Sequence, residues 1–149
     1  MSSYAKIYLH IVFSTKHRQS LIDPSWEARL YSVIGGTVRT VKCTLLAGNG
    51  TEDHVHLLVS VARDISTSDL LRNIKTDSSK WAHETFPELA AFRWQDGYAA
   101  FSVSHSQIEI VRRYIANQKE HHKNESFQDE LRQLLRLHEI EFDERYLWD

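Results

Sequence analysis

The chain has few of the residues that cross-link or interrupt a fold: one cysteine, two prolines and five glycines among 149 residues. The single Cys43 excludes an internal disulfide bond and suits a reducing compartment, and we expect it to be a buried structural thiol. The scarcity of proline and glycine argues against long linkers. The chain also lacks an apolar run long enough to span a bilayer, and no signal peptide is visible. We therefore expect a cytoplasmic protein that does not associate with a membrane.

An excess of positive charge is also missing, because the formal net charge is −2. The charged side chains are nevertheless unevenly distributed. Residues 125–149 carry eight acidic and three basic side chains, whereas residues 1–124 carry 12 acidic and 15 basic ones. The net negative charge therefore comes from residues 125–149, whereas residues 1–124 have a small net positive charge. The net charge of the chain thus does not exclude nucleic-acid binding. We expect a domain over residues 1–124, with residues 125–149 forming an acidic helix and tail that pack on it or extend it, most of their charges in solvent.

The spacing of apolar residues predicts alternating strands and helices. The predicted strands are residues 5–13 (half-buried), 42–48, 54–61 and 98–103, with a short extended stretch at 92–94. The predicted helices begin at Asp23-Pro24, at Ser66, at a capping-box pattern over Ser106–Glu109 and near Phe127. The order β-α-β-β-α-β, followed by two helices, predicts an α+β fold of the ferredoxin-like or RRM-like kind, with an antiparallel sheet. The first two helices cover one sheet face, and the other face is left for a ligand, a partner or the added helices.

The third predicted strand contains the sequence His54-Val55-His56. Side chains two positions apart in a strand point to the same side, so the two imidazoles project together while Val55, Leu57 and Val59 face the core. Two adjacent imidazoles on a rigid strand suit two ligands of one metal ion. The alternative is a pair of unrelated surface histidines, since a chain with nine histidines produces close pairs by chance.

The third predicted helix, which runs to about His122, carries Tyr114 and Gln118 four positions apart and therefore on one face. They flank the apolar stripe of that helix, so Tyr114 can extend beyond the core. With an ordinary pKa of about 10, tyrosine is a poor nucleophile without help, and a metal ion that polarises a phosphate supplies that help. Gln118 offers a carbonyl oxygen that a hard cation accepts. The alternative is a packed tyrosine beside a solvated glutamine.

With these motifs the chain resembles the single-tyrosine HUH transposases of small bacterial insertion sequences, which move as single-stranded DNA. The resemblance rests on three motifs in the expected order: His54-Val55-His56, then Trp94-Gln95-Asp96-Gly97-Tyr98, then Tyr114 and Gln118 in a Tyr-x-x-x-Gln pattern. The opening strand followed by Ser14–Arg18 is also similar. The resemblance covers about residues 4–122, and nothing is transferred from it to the acidic end.

The resemblance implies a mechanism and its partners. His54, His56 and Gln118 would bind one Mg²⁺ or Mn²⁺, and the hydroxyl of Tyr114 would attack a phosphate of single-stranded DNA. The products would be a 5′-phosphotyrosine and a free 3′-OH, which can attack the phosphotyrosine and rejoin strands without ATP. The family further implies hairpin-bearing element ends as the DNA partner, a homodimer whose active sites can be shared between subunits, and a bacterial or archaeal protein associated with the nucleoid.

Basic side chains near these motifs are candidate contacts to DNA phosphates. They are Lys16, Arg18, Arg72, Lys75, Lys80, Arg112, Arg113, Lys119 and Lys123. For each of them the alternative is a solvated surface charge, and Trp94 and Tyr98 are open between base stacking and core packing. The pair His121-His122 is expected to be a basic helix end rather than a metal pair, because adjacent helix positions diverge by about 100°. His10 is assigned no role.

Three other functions stay open. A replication-initiator or relaxase nickase shares the chemistry, but such enzymes usually have larger chains. A non-catalytic or domesticated nucleic-acid-binding regulator on the same fold has no need of His54, His56, Tyr114 and Gln118 together. A metal-dependent hydrolase that uses water has no need of Tyr114, so the substitution Tyr114→Phe would leave it active.

Overall fold

The computed structural model describes residues 1–148 and confirms the predicted α+β order. Its strands are β1 (Tyr8–Ser14), β2 (Thr44–Gly50), β3 (His54–Ser60) and β4 (Ala99–Val103). Its helices are α1 (Glu27–Thr40), α2 (Thr67–Thr85), α3 (Ile108–Ala116), α4 (Gln118–His121) and α5 (Phe127–Leu137). The strands form one antiparallel sheet in the order β2-β3-β1-β4, which is the predicted ferredoxin-like arrangement. Over residues 1–148, none of the helices is long and apolar enough to cross a membrane.

One face of the sheet packs against α1 and α2. The side chains that β3 sends into this core are Val55, Leu57 and Val59, as the alternation predicts. The two helices meet them with Leu30, Ile34, Leu70 and Ile74. Cys43 is buried at the same core, as expected. Because successive strand residues alternate between faces, His54 and His56 lie on the opposite side of the sheet.

The opposite face is covered by the helices that follow β4. Helix α5 packs on the sheet there, and the residues in this contact are Val12, Phe101, Phe127, Leu131 and Leu135. As a result β1 is buried on both sides, and the side chains of Tyr8 and His10 are no more than 8% exposed. The prediction of a half-buried first strand is wrong, because these two polar residues are satisfied inside the fold by His105 and His56.

Two predicted helix starts are wrong. Helix α1 begins at Glu27 rather than at Asp23, whose carboxylate accepts a hydrogen bond from the Ser25 amide at 2.8 Å in the preceding turn. The capping box at Ser106–Glu109 does not form, because a 3₁₀ turn at His105–Gln107 precedes α3. The other two starts, at Ser66 and near Phe127, are confirmed, since the hydroxyls of Ser66 and Ser126 accept hydrogen bonds from the amides of Asp69 and Asp129.

The extended stretch at 92–94 forms only a bridge between Trp94 and Thr15. The indole of Trp94 is 6% exposed and donates a hydrogen bond to the Ser78 hydroxyl at 2.9 Å. Of the two uses left open for Trp94, core packing is therefore the one observed, whereas Tyr98 is exposed.

Gly50 ends β2 immediately beside the start of β3. A Cβ atom at Gly50 would lie 2.0 Å from the carbonyl oxygen of His54, so any side chain forces the two strands apart. We expect Gly50→Ala to lower the free energy of unfolding by about 1–3 kcal/mol. Gly97→Ala is the matched control, because nothing lies within 4 Å of a Cβ built there. Denaturant titrations check this, and equal midpoints for Gly50→Ala and the unsubstituted protein would contradict it.

Candidate active site

The paired histidines of β3 lie on the sheet face covered by α3, α4 and α5. His54 and His56 have no exposed surface, and their ring centroids are 5.2 Å apart. They project together from one side of the strand, as the alternation predicts. The alternative of two unrelated surface histidines is therefore wrong.

Each of these imidazoles is held through its Nδ1 atom. His54 Nδ1 lies 2.8 Å from Asp53 Oδ1 and 3.0 Å from Thr51 Oγ1. His56 Nδ1 lies 2.8 Å from the Nε2 atom of His10. Metal-binding histidines are typically oriented in this way by a partner at the other ring nitrogen. The expectation that His10 has no role is thus wrong, because His10 fixes the orientation of His56.

Two residues that the sequence analysis missed, His122 and Glu130, complete the cluster with His54 and His56. The Oε1 atom of Glu130 lies 2.9 Å from His56 Nε2, 2.9 Å from His122 Nε2 and 3.6 Å from His54 Nε2. Each of these four residues offers one potential ligand atom, and these atoms all lie within 4.8 Å of one another. The interpretation of His122 as part of a basic helix end is therefore wrong. The expectation of solvated charges in the acidic end fails at Glu130, which is 1% exposed.

Tyr114 and Gln118 reach the cluster from two different helices. Helix α3 ends at Ala116 and α4 begins at Gln118, so the predicted continuous helix is interrupted at Asn117. The Tyr114 hydroxyl donates a short hydrogen bond to Glu130 Oε2, and Gln118 Nε2 donates to the same oxygen at 2.8 Å. Glu130 therefore contacts the histidines through one oxygen and the tyrosine through the other.

Burial and the Glu130 carboxylate together set the protonation of the cluster. Burial lowers the pKa of His56 to about 4, although the hydrogen bond to Glu130 acts in the opposite direction. Burial also lowers the pKa of His10, to about 3. Burial opposes the ionisation of Glu130, but hydrogen bonds from His122 and His56 outweigh it and hold its pKa well below the usual range. Burial and the adjoining carboxylate raise the pKa of Tyr114 well above its usual value, so its hydroxyl is protonated at neutral pH.

At the centre of the cluster, two hydrogen-bond acceptor atoms face each other without a proton between them. A cation bound between them would remove this repulsion. When His54 donates its Nδ1 proton to Asp53, its Nε2 atom is an acceptor, yet it faces the Oε1 atom of Gln118 at 3.2 Å. The buried Gln118 side chain directs its amide nitrogen to Glu130, so its carbonyl oxygen is left facing the histidine. Imidazole nitrogens combined with carboxylate and amide oxygens suit a divalent ion such as Mn²⁺ or Mg²⁺. The residues present therefore fit a divalent metal.

A family model decides what kind of protein carries this site. The model described as "Transposase IS200 like" matches residues 3–118. This chain belongs to the IS200-like transposase family. The match includes His54, His56, Tyr114 and Gln118 and ends before His122 and Glu130. The resemblance seen in the sequence motifs is thereby confirmed.

Solved structures agree with the fold of this transposase. A candidate transposase from Deinococcus radiodurans R1 shares 21% identity at a TM-score of 0.63, over 79% of this chain and 95% of that one. A REP-associated tyrosine transposase bound to a REP hairpin shares 18% identity at a TM-score of 0.61, over 82% of this chain and 74% of that one. At these identities the similarity shows the fold alone. Among curated proteins no match was found.

The basic side chains predicted to contact DNA fall on different surfaces of the transposase. Arg18, Lys119 and Lys123 line a cleft next to His122, at the edge of the cluster formed by His54, His56, His122 and Glu130. Lys16, Arg72 and Lys75 line a second groove, together with Trp94 and Tyr98. Arg112 and Arg113 lie on α3, and Lys80 lies on α2. Their contact with DNA phosphates stays a prediction.

Three of these cations already hold parts of the fold in place. Lys75 Nζ donates to the carbonyls of Gln95 at 2.7 Å and Gly97 at 2.6 Å, and burial lowers its pKa to about 8. The remaining contacts are from Lys119 to Glu27 at 2.7 Å and from Arg112 to the carbonyl of Leu46 at 2.6 Å. Substitution of any of these three residues is therefore expected to perturb local structure as well as any DNA contact.

The lowered histidine pKa values predict that the metal-free transposase is acid-sensitive. A histidine in the unfolded chain titrates near pH 6.5, so between that pH and about 4 the unfolded state takes up protons at His10 and His56 that the folded state does not. The free energy of unfolding should fall as the pH is lowered through this window, by up to about 1.4 kcal/mol per pH unit for each histidine. The pKa of His122 is raised despite its burial by a hydrogen bond to Glu130, so His122 adds no loss in this window.

Denaturant titrations of the EDTA-treated protein at the two ends of this window check the prediction. His10→Asn should lose less stability on acidification than the unsubstituted chain, because one of the two groups is gone. Equal free energies of unfolding at both pH values would contradict the lowered pKa values of His10 and His56.

Proposed function

We propose that this transposase cleaves single-stranded DNA by attack of the Tyr114 hydroxyl on a phosphate, which forms a 5′-phosphotyrosine and a free 3′-OH. The observation that carries the proposal is the double contact of Glu130, which joins the Tyr114 hydroxyl to the ring nitrogens of His56 and His122. A hydroxyl that donates to a carboxylate able to accept its proton, beside a cluster of potential metal ligands, suits nucleophilic attack on a phosphate.

His54, His56 and Gln118 would hold one divalent ion, Mg²⁺ or Mn²⁺, through Nε2, Nε2 and Oε1. When bound, the ion would polarise the scissile phosphate and neutralise charge as the bond to the leaving oxygen breaks. Neighbouring residues fix the orientation of these ligands. Asp53 and His10 fix the two imidazoles through Nδ1, and the carboxylate of Glu130 fixes the Gln118 amide.

The cleavage step exchanges one phosphate ester for another. A bond forms between the Tyr114 oxygen and phosphorus, and the bond between phosphorus and the 3′ oxygen breaks. As that bond forms the tyrosine oxygen becomes acidic, and its proton passes along the existing hydrogen bond to Glu130 Oε2. The departing 3′ oxygen, on the opposite side of phosphorus, takes up a proton from water. Because the phosphotyrosine conserves the energy of the broken bond, a 3′-OH can reverse the step and join strands without ATP.

We propose that the DNA partner is a single strand with hairpin-bearing ends, and that the protein acts as a homodimer. Family membership supports a DNA partner, and the similar REP-associated transposase is bound to a hairpin. Within one chain Tyr114 contacts the cluster of its own His56 through Glu130, which supports cleavage in cis. Exchange of the tyrosine helix between subunits remains an alternative for the homodimer.

A cleavage assay on single-stranded DNA that carries the flanks of the protein's own gene tests this function. With Mn²⁺ or Mg²⁺, we expect a slowly migrating protein–DNA adduct on a denaturing gel and no adduct in EDTA. If the protein binds this DNA but yields neither adduct nor cut with either metal, it is a non-catalytic DNA-binding regulator on the same fold.

A further inference from the structure

The C-terminal segment, residues 119–148, enters the cluster from outside the part of the chain that the family model matches. His122 and Glu130 follow residue 118, where that match ends. Their side chains are nevertheless 8% and 2% exposed and lie against His54 and His56. The cluster is therefore larger than the three ligands assigned under the proposed function.

We propose that His122 and Glu130 are two further ligands of the metal ion, so that the C-terminal segment closes the site which His54, His56 and Gln118 begin. The inference rests on the proposed function only in assigning a divalent ion to this cluster. It extends the ligand set to three imidazoles, one carboxylate and one amide oxygen.

The spacing of the side-chain atoms suits one ion. Ligand atoms that surround a divalent ion at about 2.0–2.2 Å lie roughly 3–4 Å from one another. Glu130 Oε1 lies 2.9 Å from the Nε2 atoms of His56 and His122 and 3.6 Å from that of His54. The ligand atoms of His54, His56, His122 and Glu130 all lie within 4.8 Å of one another, which is close to that spacing.

The orientation of His122 repeats that of the two strand histidines. Its Nδ1 atom donates to the carbonyl oxygen of Glu125 at 2.7 Å, which leaves Nε2 directed at Glu130. All three imidazoles are therefore fixed at Nδ1 by a neighbour and converge through Nε2. Fixing the outward nitrogen of every imidazole is the usual arrangement around a bound metal.

Charge supplies the second argument for Glu130. An ionised carboxylate is expensive to bury unless a charge or several hydrogen bonds compensate it. The groups within 4.0 Å of Glu130 that could carry a positive charge are all imidazoles, and over residues 1–148 no lysine or arginine pairs with this carboxylate. A divalent cation among these ligands compensates the carboxylate directly.

Titration with Mn²⁺, followed through the electron paramagnetic resonance signal of the free ion, tests the proposal without any DNA. Glu130→Gln and His122→Gln should each weaken Mn²⁺ binding at least about tenfold. Asp129→Asn is the matched control, because it removes the neighbouring carboxylate on α5, which pairs with Arg132 at the surface. We expect its Mn²⁺ affinity to equal that of the unsubstituted protein.

The outcomes separate this inference from the proposed function. Unchanged Mn²⁺ affinity in Glu130→Gln and His122→Gln overturns the inference and leaves the site formed by His54, His56 and Gln118. If the substitutions weaken Mn²⁺ binding but the intact protein forms no DNA adduct, the inference stands and the proposed function fails. Absence of Mn²⁺ binding by the intact protein overturns the inference directly.

A measurement on the unsubstituted chain covers the case in which a substituted protein fails to fold. Amide hydrogen exchange in α5 should slow when Mn²⁺ is added, because the ion would join α5 to β3 through Glu130. Protection confined to β3 and α4, with exchange in α5 unchanged, would overturn the proposal.

Discussion

Replacing Tyr114 with phenylalanine should abolish the covalent protein–DNA adduct and reduce strand cleavage by at least about 10⁴-fold, because the attacking oxygen is removed while the rest of the site is kept. Binding of single-stranded DNA and of Mn²⁺ should stay close to that of the unsubstituted protein, since the proposed ligands are untouched. Single-turnover cleavage in Mn²⁺ measures the first effect, and filter binding measures the second.

Tyr31→Phe is the matched control for this loss. Over residues 1–148 the buried Tyr31 hydroxyl has no hydrogen-bond partner. Tyr31 packs at the core under α1 and α2, on the sheet face opposite His54 and His56, so Tyr31→Phe removes a hydroxyl without touching the cluster. We expect this variant to form the adduct at the unsubstituted rate. If Tyr114→Phe still cleaves DNA, the nucleophile is water and the protein is a metal-dependent hydrolase.

Alanine at His56 should lower the rate of adduct formation by about 10³-fold, because losing a metal ligand removes several kcal/mol of charge stabilisation in the transition state. The same substitution should weaken Mn²⁺ binding, which separates the loss of metal from a loss of DNA binding. His105→Ala is the control, since that histidine is exposed and contacts Tyr8 rather than the cluster.

Folding must be measured alongside, because His56 has no exposed surface and its removal leaves a cavity. Circular dichroism of the His56→Ala protein at the assay temperature shows whether the fold persists. If the His56→Ala protein is folded and forms the adduct at the rate of the unsubstituted protein, and EDTA does not change that rate, a metal role for this histidine is contradicted.

The sheet and the convergence of the two β3 histidines could be predicted from the sequence because local alternation determines them. Apolar residues and histidines alternate along β3, so Val55 and Leu57 face one side while His54 and His56 face the other. The burial of β1 could not be predicted in this way. His10 is satisfied by His56, 46 residues away, and only the assembled sheet brings the two together.

His122 was missed because the helix phase changes before it. The expected angle between His121 and His122 is correct in principle, but the chain breaks its helix at Asn117 and restarts at Gln118. The direction of either ring therefore does not follow from the stripe on α3. In the folded chain Nε2 of His122 lies 2.9 Å from Glu130 Oε1, whereas Nε2 of His121 lies 2.5 Å from Glu125 Oε2.

The position of Glu130 in the sequence indicates that it is buried, although counting the charges of residues 125–149 together did not reveal this. It lies three residues after Phe127 and four before Leu134, so it falls on the apolar face of α5. A carboxylate on an apolar face is either paired or functional, because an unpaired buried charge is expensive. Treating residues 125–149 as one acidic surface concealed this position.

Mass spectrometry of the trapped adduct tests the central claim most directly. The intact protein is incubated with single-stranded DNA and Mn²⁺, the DNA is digested to a short remnant, and the protein is cleaved with trypsin. The account predicts a nucleotide phosphate on the tyrosine of the peptide that spans Tyr114 to Lys119. A phosphate linked to any other residue, or cleaved DNA with a free 5′-phosphate and no linked peptide, would contradict the assignment of Tyr114 as the nucleophile.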